Sequence, residues 1–172
     1  MENILTISPF SFEPLSAFIL SAKKSITIEN QYLNDKRFNS AIVEAAKRGV
    51  KINITLASAC SFGKPDFSTA NKLSETFKKF DVNNISLKMM PSRFLVNNHN
   101  GYMHAKAIVV DNNIAWVGSV NGSISALSIN REFGMFIYDL KQVTKLENFM
   151  LNTHNSNMLE TWSESINCTY DK

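Results

Sequence analysis

The sequence predicts a single α/β domain over residues 1–172, built from a mixed β-sheet flanked by helices on both faces. Helix-like and strand-like segments alternate along the first half of the chain, and a strand hairpin is expected in the second half. Apolar residues make up 44% of the 172 residues, which is enough for one hydrophobic core. No internal repeat or linker divides the chain into smaller domains.

Two helices near the start are predicted from apolar residues that recur at helical spacing. Pro14 suits the first turn of the first helix. Asp35 is a suitable N-cap for the second helix, and Gly49 is expected to end it. The two apolar faces comprise Leu15, Phe18, Ile19 and Ala22 in the first helix, and Phe38, Ala41, Ile42 and Ala45 in the second.

Strands are predicted where apolar and polar residues alternate with a period of two. This pattern occurs at Ser25–Glu29, at Val50–Leu56 and at Ile85–Met90. Between the last two strands, Ala57–Asp66 contains glycine and proline and is expected to be a loop. A third amphipathic helix is then predicted from Ala70, Leu73, Phe77 and Phe80.

The second half begins with a predicted polar loop at Pro91–Gly101. Two strands, Ala105–Val110 and Ile114–Val117, are expected to form a hairpin because a short Asp-Asn-Asn segment joins them. A further strand follows at Glu132–Tyr138. The last helix is predicted from Val143, Leu146, Phe149 and Met150, with Leu159 and Trp162 packing beyond it.

Charge and cysteine content exclude few classes of function. Lys and Arg number 18 against 15 for Asp and Glu, so the net charge of +3 permits a polyanionic partner without requiring one. Cys60 and Cys168 have no metal-site spacing and are expected to be free thiols, which leaves the compartment open. No apolar run reaches the roughly 18 residues of a membrane span, and no signal peptide is recognised, so we expect a soluble chain.

The residues able to do chemistry lie in Tyr102–Glu132. His104 and Lys106 are two positions apart at the start of a predicted strand, so both are expected on one side of the sheet. If the hairpin pairs Val110 with Ile114, Ser119 and Asn121 lie at the same level of the sheet as His104 and Lys106. An imidazole, a cation, a hydroxyl and an amide would then converge, and such a set can hold a tetrahedral anion such as phosphate.

These motifs resemble those of the phospholipase D superfamily. His104-x-Lys106-x-x-x-x-Asp111 is similar to the HKD signature of that family. Gly122 departs from the family pattern, in which a bulky residue often stands here, and this bears on the shape of the pocket floor. Other matching segments, which together extend the resemblance over nearly the whole chain, are Gly118–Asn121 (GSxN), Asn130–Glu132 (NxE), Phe18–Glu29, Ile28–Leu33 (IENQY) and Ala45–Val50.

The resemblance implies a phospholipase D-like α/β sandwich and a metal-independent phosphodiesterase without a cofactor. His104 would be the nucleophile and would form a phosphohistidine. Glu132 would accept a hydrogen bond from the other ring nitrogen and fix the tautomer. Lys106 and Asn121 would bind phosphate oxygens, and Ser119 would orient the histidine or the phosphate.

Asp111 is expected to be structural despite its place in the motif, because it lies at the far end of the strand and could hold the hairpin turn. No metal-ligand set is visible. The chemistry implied by the resemblance needs a second imidazole to protonate the leaving oxygen, and His99 and His154 have no motif around them. The second HKD set would therefore come from a homodimer partner or from a missing half of a longer protein.

The sequence leaves the substrate and the class of function open. Nucleic acid is one candidate, because nuclease members of the family work as compact one-motif dimers. Phospholipid is the other, because the IENQY-type segment is found mostly in two-motif, lipid-directed members. A non-catalytic half-domain that docks nucleic acid or a partner chain is the alternative. Several side chains are expected to have ordinary roles: His99, Lys64, Lys88 and Arg93 on the surface, and Phe77, Phe80, Phe149, Met89 and Met90 in the core.

Overall fold

The computed structural model describes residues 4–58, 83–91 and 94–165. The predicted third helix, most of the predicted loop at 57–66, and both cysteines lie outside these ranges, as do Lys64 and Arg93. Helices and strands within the ranges, in chain order, are β1 (Leu5–Ile7), α1 (Phe12–Leu20), β2 (Ser25–Asn30), α2 (Lys36–Lys47), β3 (Lys51–Leu56), β4 (Ile85–Met89), β5 (Phe94–Val96), β6 (His99–Gly101), β7 (Ala107–Val110), β8 (Ile114–Gly118), α3 (Ile124–Ser128), β9 (Phe133–Ile137), α4 (Leu140–His154) and α5 (Trp162–Ser165).

The strands form a mixed seven-stranded sheet in the order β1-β9-β8-β7-β2-β3-β4. β2, β3 and β4 pair in parallel, whereas the other neighbours in the sheet are antiparallel. The predicted hairpin forms with the expected register, in which Val110 lies opposite Ile114. The predicted fold class, a mixed sheet with helices on both faces, is confirmed.

The two faces of the sheet bury different clusters of side chains. Ile26 and Ile28 of β2 belong to the large core cluster that α1 and α2 cover. On the opposite face, Val109 and Ala115 pack with Met150 of α4. The alternation of side chains along each strand places successive residues on opposite faces and so supplies both clusters.

The helix boundaries of α2 follow the predicted signals. The Asp35 side chain accepts a hydrogen bond from the backbone N–H of Arg37 and caps the helix. Gly49 follows the C-cap with a φ of +89°, a conformation that glycine adopts without strain. Beyond α4, Leu159 and Trp162 are half-buried against core clusters, and Met89 and Met90 are buried, as predicted.

Three predictions about local structure are wrong. The segment predicted as a polar loop contains the β5–β6 hairpin, whose two-residue turn places Asn97 and Asn98 at positive φ, the geometry of a type I′ turn. β7 begins at Ala107, so His104 and Lys106 precede the strand instead of opening it. Phe149 is 66% exposed, because the buried face of α4 consists of Val143, Glu147, Met150 and His154.

The strand β1 also has no counterpart among the predicted strands. β1 is only three residues long and pairs with β9 at the edge of the sheet. It contributes Thr6, whose hydroxyl accepts a hydrogen bond of 2.9 Å from the indole of the fully buried Trp116. No helix in the described part of the chain is long and apolar enough to cross a membrane.

Candidate active site

The candidate site lies where three backbone segments meet at one end of the central strands. The backbone N–H of Gly118, at the end of β8, donates to the carbonyl of Lys106, just before β7. The N–H of Ser119 donates to the carbonyl of Phe133, at the start of β9. The antiparallel register of the three strands therefore brings the predicted motif residues of all three segments to this end of the sheet.

The side chain of Lys106 is the buried cation of the site. Only 6% of the residue is exposed, and Nζ donates to the carbonyl of His104 at 2.7 Å and to Oε1 of Gln31 at 3.4 Å. Burial lowers the pKa of the Lys106 ammonium, and the negative charge of Glu132 partly opposes that shift. An ammonium in this position can stabilise negative charge more strongly than one in water.

Asn121 shares an acceptor with Lys106. Its Nδ2 donates to the same Oε1 of Gln31, at 3.5 Å. Its Oδ1 is buried without a hydrogen-bond partner among the described residues. The structure thus brings together the amide and the cation that the resemblance assigned to phosphate binding, with Gln31 between them.

Ser119 and Glu132 form a second pair. The Ser119 hydroxyl donates to Oε2 of Glu132 at 2.5 Å, and the backbone N–H of Phe133 donates to the same hydroxyl at 3.2 Å. Among the described residues, Oε1 of Glu132 accepts one hydrogen bond, which is long at 3.5 Å and comes from the Asn130 amide. The expected hydrogen bond from the ring of His104 to Glu132 is not found among the described residues.

The His104 side chain is exposed and its ring makes no hydrogen bond within the described ranges. The neighbouring Tyr102 ring meets it edge to face, with the centroids 6.0 Å apart. This aromatic contact was not anticipated from the sequence. The imidazole is therefore open to solvent, while the cation that belongs to the same motif is buried.

The segment after β2 supports the loop that carries Asn121. The Asn30 amide donates to the carbonyl of Val120 and accepts from the N–H of Gly122, both at 3.4 Å. That N–H also donates to the carbonyl of Tyr32, at 3.0 Å. Asn30 and Gln31 were not predicted as site residues, although the resemblance at Ile28–Leu33 was the signal that could have found them.

The departure from the family pattern at Gly122 has a steric reason. A Cβ at this position would overlap Cδ2 of Leu33 and lie 3.1 Å from the carbonyl oxygen of Tyr32. The carbonyl of Gly122 accepts hydrogen bonds from the backbone N–H groups of Asn34 and Asp35, at 2.8 and 2.9 Å. Glycine therefore allows the loop and the segment after β2 to pack in direct backbone contact.

Asp111 lies at the other end of β7, away from the site. Its carboxylate accepts hydrogen bonds of 2.9, 2.7 and 2.9 Å from the backbone N–H groups of Lys23, Lys24 and Ser25. Partial burial tends to raise the pKa of Asp111, but these donors outweigh it and leave the pKa below the usual value. Its position ties the hairpin turn to the start of β2.

The other two histidines are placed elsewhere. His99 is exposed on β6. His154 is 2% exposed, with its Nδ1 at 3.0 Å from the Thr55 hydroxyl and its Nε2 at 2.9 Å from that of Ser86. The carbonyl of His154 also accepts a hydrogen bond from the half-buried Lys88. Neither imidazole is hydrogen-bonded to the residues around Lys106.

A family model described as "Cardiolipin synthase, PLD-like domain" matches residues 15–153. The chain belongs to the phospholipase D superfamily. Members of this superfamily of phosphodiesterases are hydrolytic or phosphotransferase enzymes. The match includes the segment after β2, the HKD motif and the GSxN element, so it spans every part of the candidate site.

Curated relatives of this phospholipase D superfamily chain include cardiolipin synthases. The protein from Listeria welshimeri is 31% identical over 134 residues, which cover 77% of this chain and 25% of that protein. The protein from Staphylococcus aureus strain Mu50 is 32% identical over 139 residues, covering 75% and 24% respectively. The chain thus spans about a quarter of the length of these relatives.

Solved structures of the superfamily share the fold. NucT from Helicobacter pylori has a TM-score of 0.72 at 24% identity, covering 88% of this chain and 94% of that chain. Nuc from Salmonella typhimurium has a TM-score of 0.67 at 22% identity, covering 88% and 93%. Phosphatidylserine synthase from Haemophilus influenzae has a TM-score of 0.69 at 13% identity, covering 95% and 40%.

Proposed function

We propose that this chain supplies one catalytic half of a metal-independent phosphodiesterase that works through a phosphohistidine at His104. One observation carries the proposal. Nζ of Lys106 and Nδ2 of Asn121 both lie within 3.5 Å of a single atom, Oε1 of Gln31. Two donors that converge on one point can share the oxygens of a tetrahedral anion.

The proposed reaction proceeds in two steps. A neutral His104 ring attacks phosphorus through a nitrogen lone pair, and the bond from phosphorus to the leaving oxygen breaks as the new P–N bond forms. Lys106 and Asn121 stabilise the charge on the non-bridging oxygens. Water or an alcohol then attacks the phosphohistidine, which breaks the P–N bond and restores the free imidazole. The leaving oxygen takes a proton in the first step, and a second imidazole is suited to supply it; in the second step that imidazole regains a proton from the attacking water or alcohol.

Glu132 is proposed to fix the tautomer of His104. One oxygen of its carboxylate accepts from Ser119, while the other has, within the described part of the chain, a single contact of 3.5 Å from Asn130. That oxygen retains the capacity to accept a hydrogen bond from a ring N–H. Ser119 is then a residue that orients the carboxylate, and it acts on the imidazole through Glu132.

The proposed substrate is a phospholipid phosphodiester, with nucleic acid as the second candidate. The relatives above 30% identity are named cardiolipin synthases, and this supports the lipid. The nuclease-like structures Nuc and NucT fall below 25% identity and support the shared fold alone. Release of a soluble headgroup from phosphatidylglycerol vesicles, compared with cleavage of single-stranded DNA, separates the two candidates.

The chemistry is tested with bis(p-nitrophenyl) phosphate in excess EDTA. We expect turnover by the wild-type chain, assembled with whatever supplies the second imidazole, and loss of that turnover in His104→Ala. His99→Ala is the matched control, because this histidine is exposed on the β5–β6 hairpin and should leave turnover intact. A rapid quench in alkaline denaturant during turnover should leave phosphorus label on His104, because the P–N bond of a phosphohistidine survives alkali but hydrolyses in acid. A strict metal requirement, or label on another side chain, would contradict the mechanism.

A non-catalytic half-domain is the second candidate function. The observation that favours it is that the chain spans about a quarter of its curated relatives and carries one HKD motif. Such a domain would bind a phosphodiester through Lys106 and Asn121 without turnover. Binding of labelled phosphodiester that is equal in wild type and His104→Ala, with no hydrolysis by any assembly, would favour this function over the enzyme.

A further inference from the structure

Gln31 occupies a central position that the proposed mechanism does not use. It follows β2 directly and is 6% exposed. Its Oε1 lies 3.4 Å from Nζ of Lys106 and 3.5 Å from Nδ2 of Asn121. The two contacts link residues 75 and 90 positions away along the chain. One buried amide oxygen is thus shared by the two groups proposed to bind phosphate.

The hydrogen-bond donors and acceptors of the three side chains determine the orientation of the two amide groups. A lysine ammonium donates hydrogen bonds and cannot accept them, so the oxygen end of Gln31 must face it. That oxygen can only accept, so the nitrogen end of Asn121 must in turn face Gln31. The orphaned Oδ1 of Asn121 is the consequence, because the opposite orientation would place two oxygens together. The charge on Lys106 therefore sets the orientation of Asn121 through Gln31.

We infer that Gln31 is a positioning residue, whose side-chain oxygen holds the Lys106 ammonium and the Asn121 amide in the relative orientation that phosphate binding needs. The inference rests on the proposed function of Lys106 and Asn121. Both hydrogen bonds are long, so their effect is to select an orientation and not to contribute much stability. Because Gln31 is buried, it acts through its two neighbours.

The backbone around Gln31 is held firmly enough for this role. The preceding residue, Asn30, is 2% exposed and bonds both sides of the Val120–Gly122 turn. The following residue, Tyr32, accepts a backbone hydrogen bond from Gly122. Gln31 is therefore fixed between two contacts to the loop that carries Asn121, and a positioning group requires such support.

Replacement of Gln31 by glutamate distinguishes the effect of the acceptor oxygen, which orients the neighbouring groups, from the effect of a charge at this position. A carboxylate also accepts from both neighbours, so Gln31→Glu preserves the orientation but places a negative charge beside Lys106. Among the described residues, Glu132 is the charged group that acts on this lysine, His104 lies two positions before it, and Glu29 of β2 pairs with the residue that follows it, Ala107. The added carboxylate raises the pKa of Lys106 and competes with phosphate for it. Gln31→Met has a side chain of similar volume but lacks the oxygen that accepts the two hydrogen bonds.

The experiment compares Gln31→Met and Gln31→Glu with matched changes at the exposed Gln142. We expect kcat on bis(p-nitrophenyl) phosphate to fall roughly 10-fold to 100-fold in Gln31→Met. Gln31→Glu should retain more of kcat, raise KM, and move the alkaline limb of the pH profile to higher pH. Both changes at Gln142 should leave these parameters unchanged.

A second readout does not depend on turnover. NMR of the Asn121 side-chain amide should show a displaced or broadened signal in Gln31→Met and a retained one in Gln31→Glu, and the titration of Lys106 should move to higher pH only in Gln31→Glu. Unchanged signals and titration in both folded variants would overturn the inference, whether or not the chain is an enzyme. Absence of turnover by any wild-type assembly, together with the expected NMR changes, would instead count against the proposed function alone.

Discussion

At the scale of single residues, the histidines His104 and His154 have different surroundings. His104 is exposed and Lys106 is buried beside it, at one end of the sheet. His154 is buried at the C-terminal end of α4, where its two ring nitrogens lie within hydrogen-bond distance of the hydroxyls of Thr55 and Ser86. Burial, together with the positive charges of Lys88 and Lys51, lowers the pKa of His154 to about 4.

His154 should make folding stability depend on pH. Its folded-state pKa lies below the usual 6.5, so the unfolded chain binds more protons between these values. The stabilisation is complete above about pH 6.5 and is lost as the pH falls towards 4. We expect the urea midpoint of the wild-type chain to fall over this window.

The matched variants are His154→Gln and His99→Gln. Glutamine can still bond both hydroxyls but does not titrate, so His154→Gln should flatten the dependence of the urea midpoint on pH between 6.5 and 4. His99→Gln replaces an exposed histidine and should retain the wild-type dependence. An equal slope in wild type and His154→Gln would show that the buried imidazole does not supply the effect.

The identities of the proposed site residues follow from sequence motifs, but their partners do not. The spacing from His104 to Lys106 and the GSxN element are enough to predict a site at this end of the hairpin. The contact of Asn121 with Gln31 joins segments that are 90 residues apart and depends on β7 pairing with β2. Sequence spacing carries no information about such a long-range approach unless the strand order is known.

At the scale of secondary structure, elements with strong local signals were predicted well. The capped helix α2 and the β7–β8 hairpin have N-cap, glycine and turn residues in the expected places. The β5–β6 hairpin was missed because asparagines in its turn were interpreted as general loop composition. On α4, the buried face includes the polar residues Glu147 and His154, so the spacing of apolar residues alone predicts the wrong side for Phe149.

Gly122→Ala tests the contact between the GSxN loop and the segment after β2. The new methyl group would overlap Leu33, which is fully buried and cannot move away easily. We expect a loss of about 1–3 kcal/mol in unfolding free energy and a fall in kcat, because the displaced loop carries Asn121. Urea unfolding and the phosphodiesterase assay measure the two effects.

Gly49→Ala is the control for that substitution. Gly49 has a φ of +89° and open space around its Cα, so alanine there strains the backbone without a steric overlap. We expect a stability loss of about 1 kcal/mol and an unchanged kcat, because Gly49 lies at the C-terminal end of α2. If the two variants lose kcat to the same extent, loss of stability and not loop position explains the effect.

Asp111→Asn tests whether the aspartate of the HKD motif is structural. The amide keeps one acceptor oxygen for the N–H groups of Lys23, Lys24 and Ser25 but presents its NH₂ group to the remaining donors. We expect the unfolding free energy to fall by about 1–3 kcal/mol, while kcat of the folded variant stays close to wild type. A large loss of kcat at unchanged stability would assign Asp111 to the chemistry instead.

At the scale of the whole molecule, the proposed reaction uses two imidazoles, whereas only one of the three histidines, His104, lies beside Lys106. Of the other two, His154 is buried at the C-terminal end of α4 and His99 lies on a separate hairpin. If the reaction proceeds as proposed, a second copy of the chain or another part of a longer protein would supply the second imidazole. This chain spans about a quarter of the length of the curated relatives, and this is compatible with another part of a longer protein as the source.

Mixing experiments distinguish the two sources. Wild-type chain at fixed concentration is unfolded and refolded with a tenfold excess of His104→Ala chain, or with the same mass of serum albumin as control. If a second copy supplies the imidazole, random pairing places most wild-type chains beside an inactive partner, and turnover should fall roughly 10-fold. Turnover that is equal in both mixtures would exclude a second copy as the source. In that case activity should rise when the remaining part of a longer protein is added, because only that part can then supply the proton to the leaving oxygen.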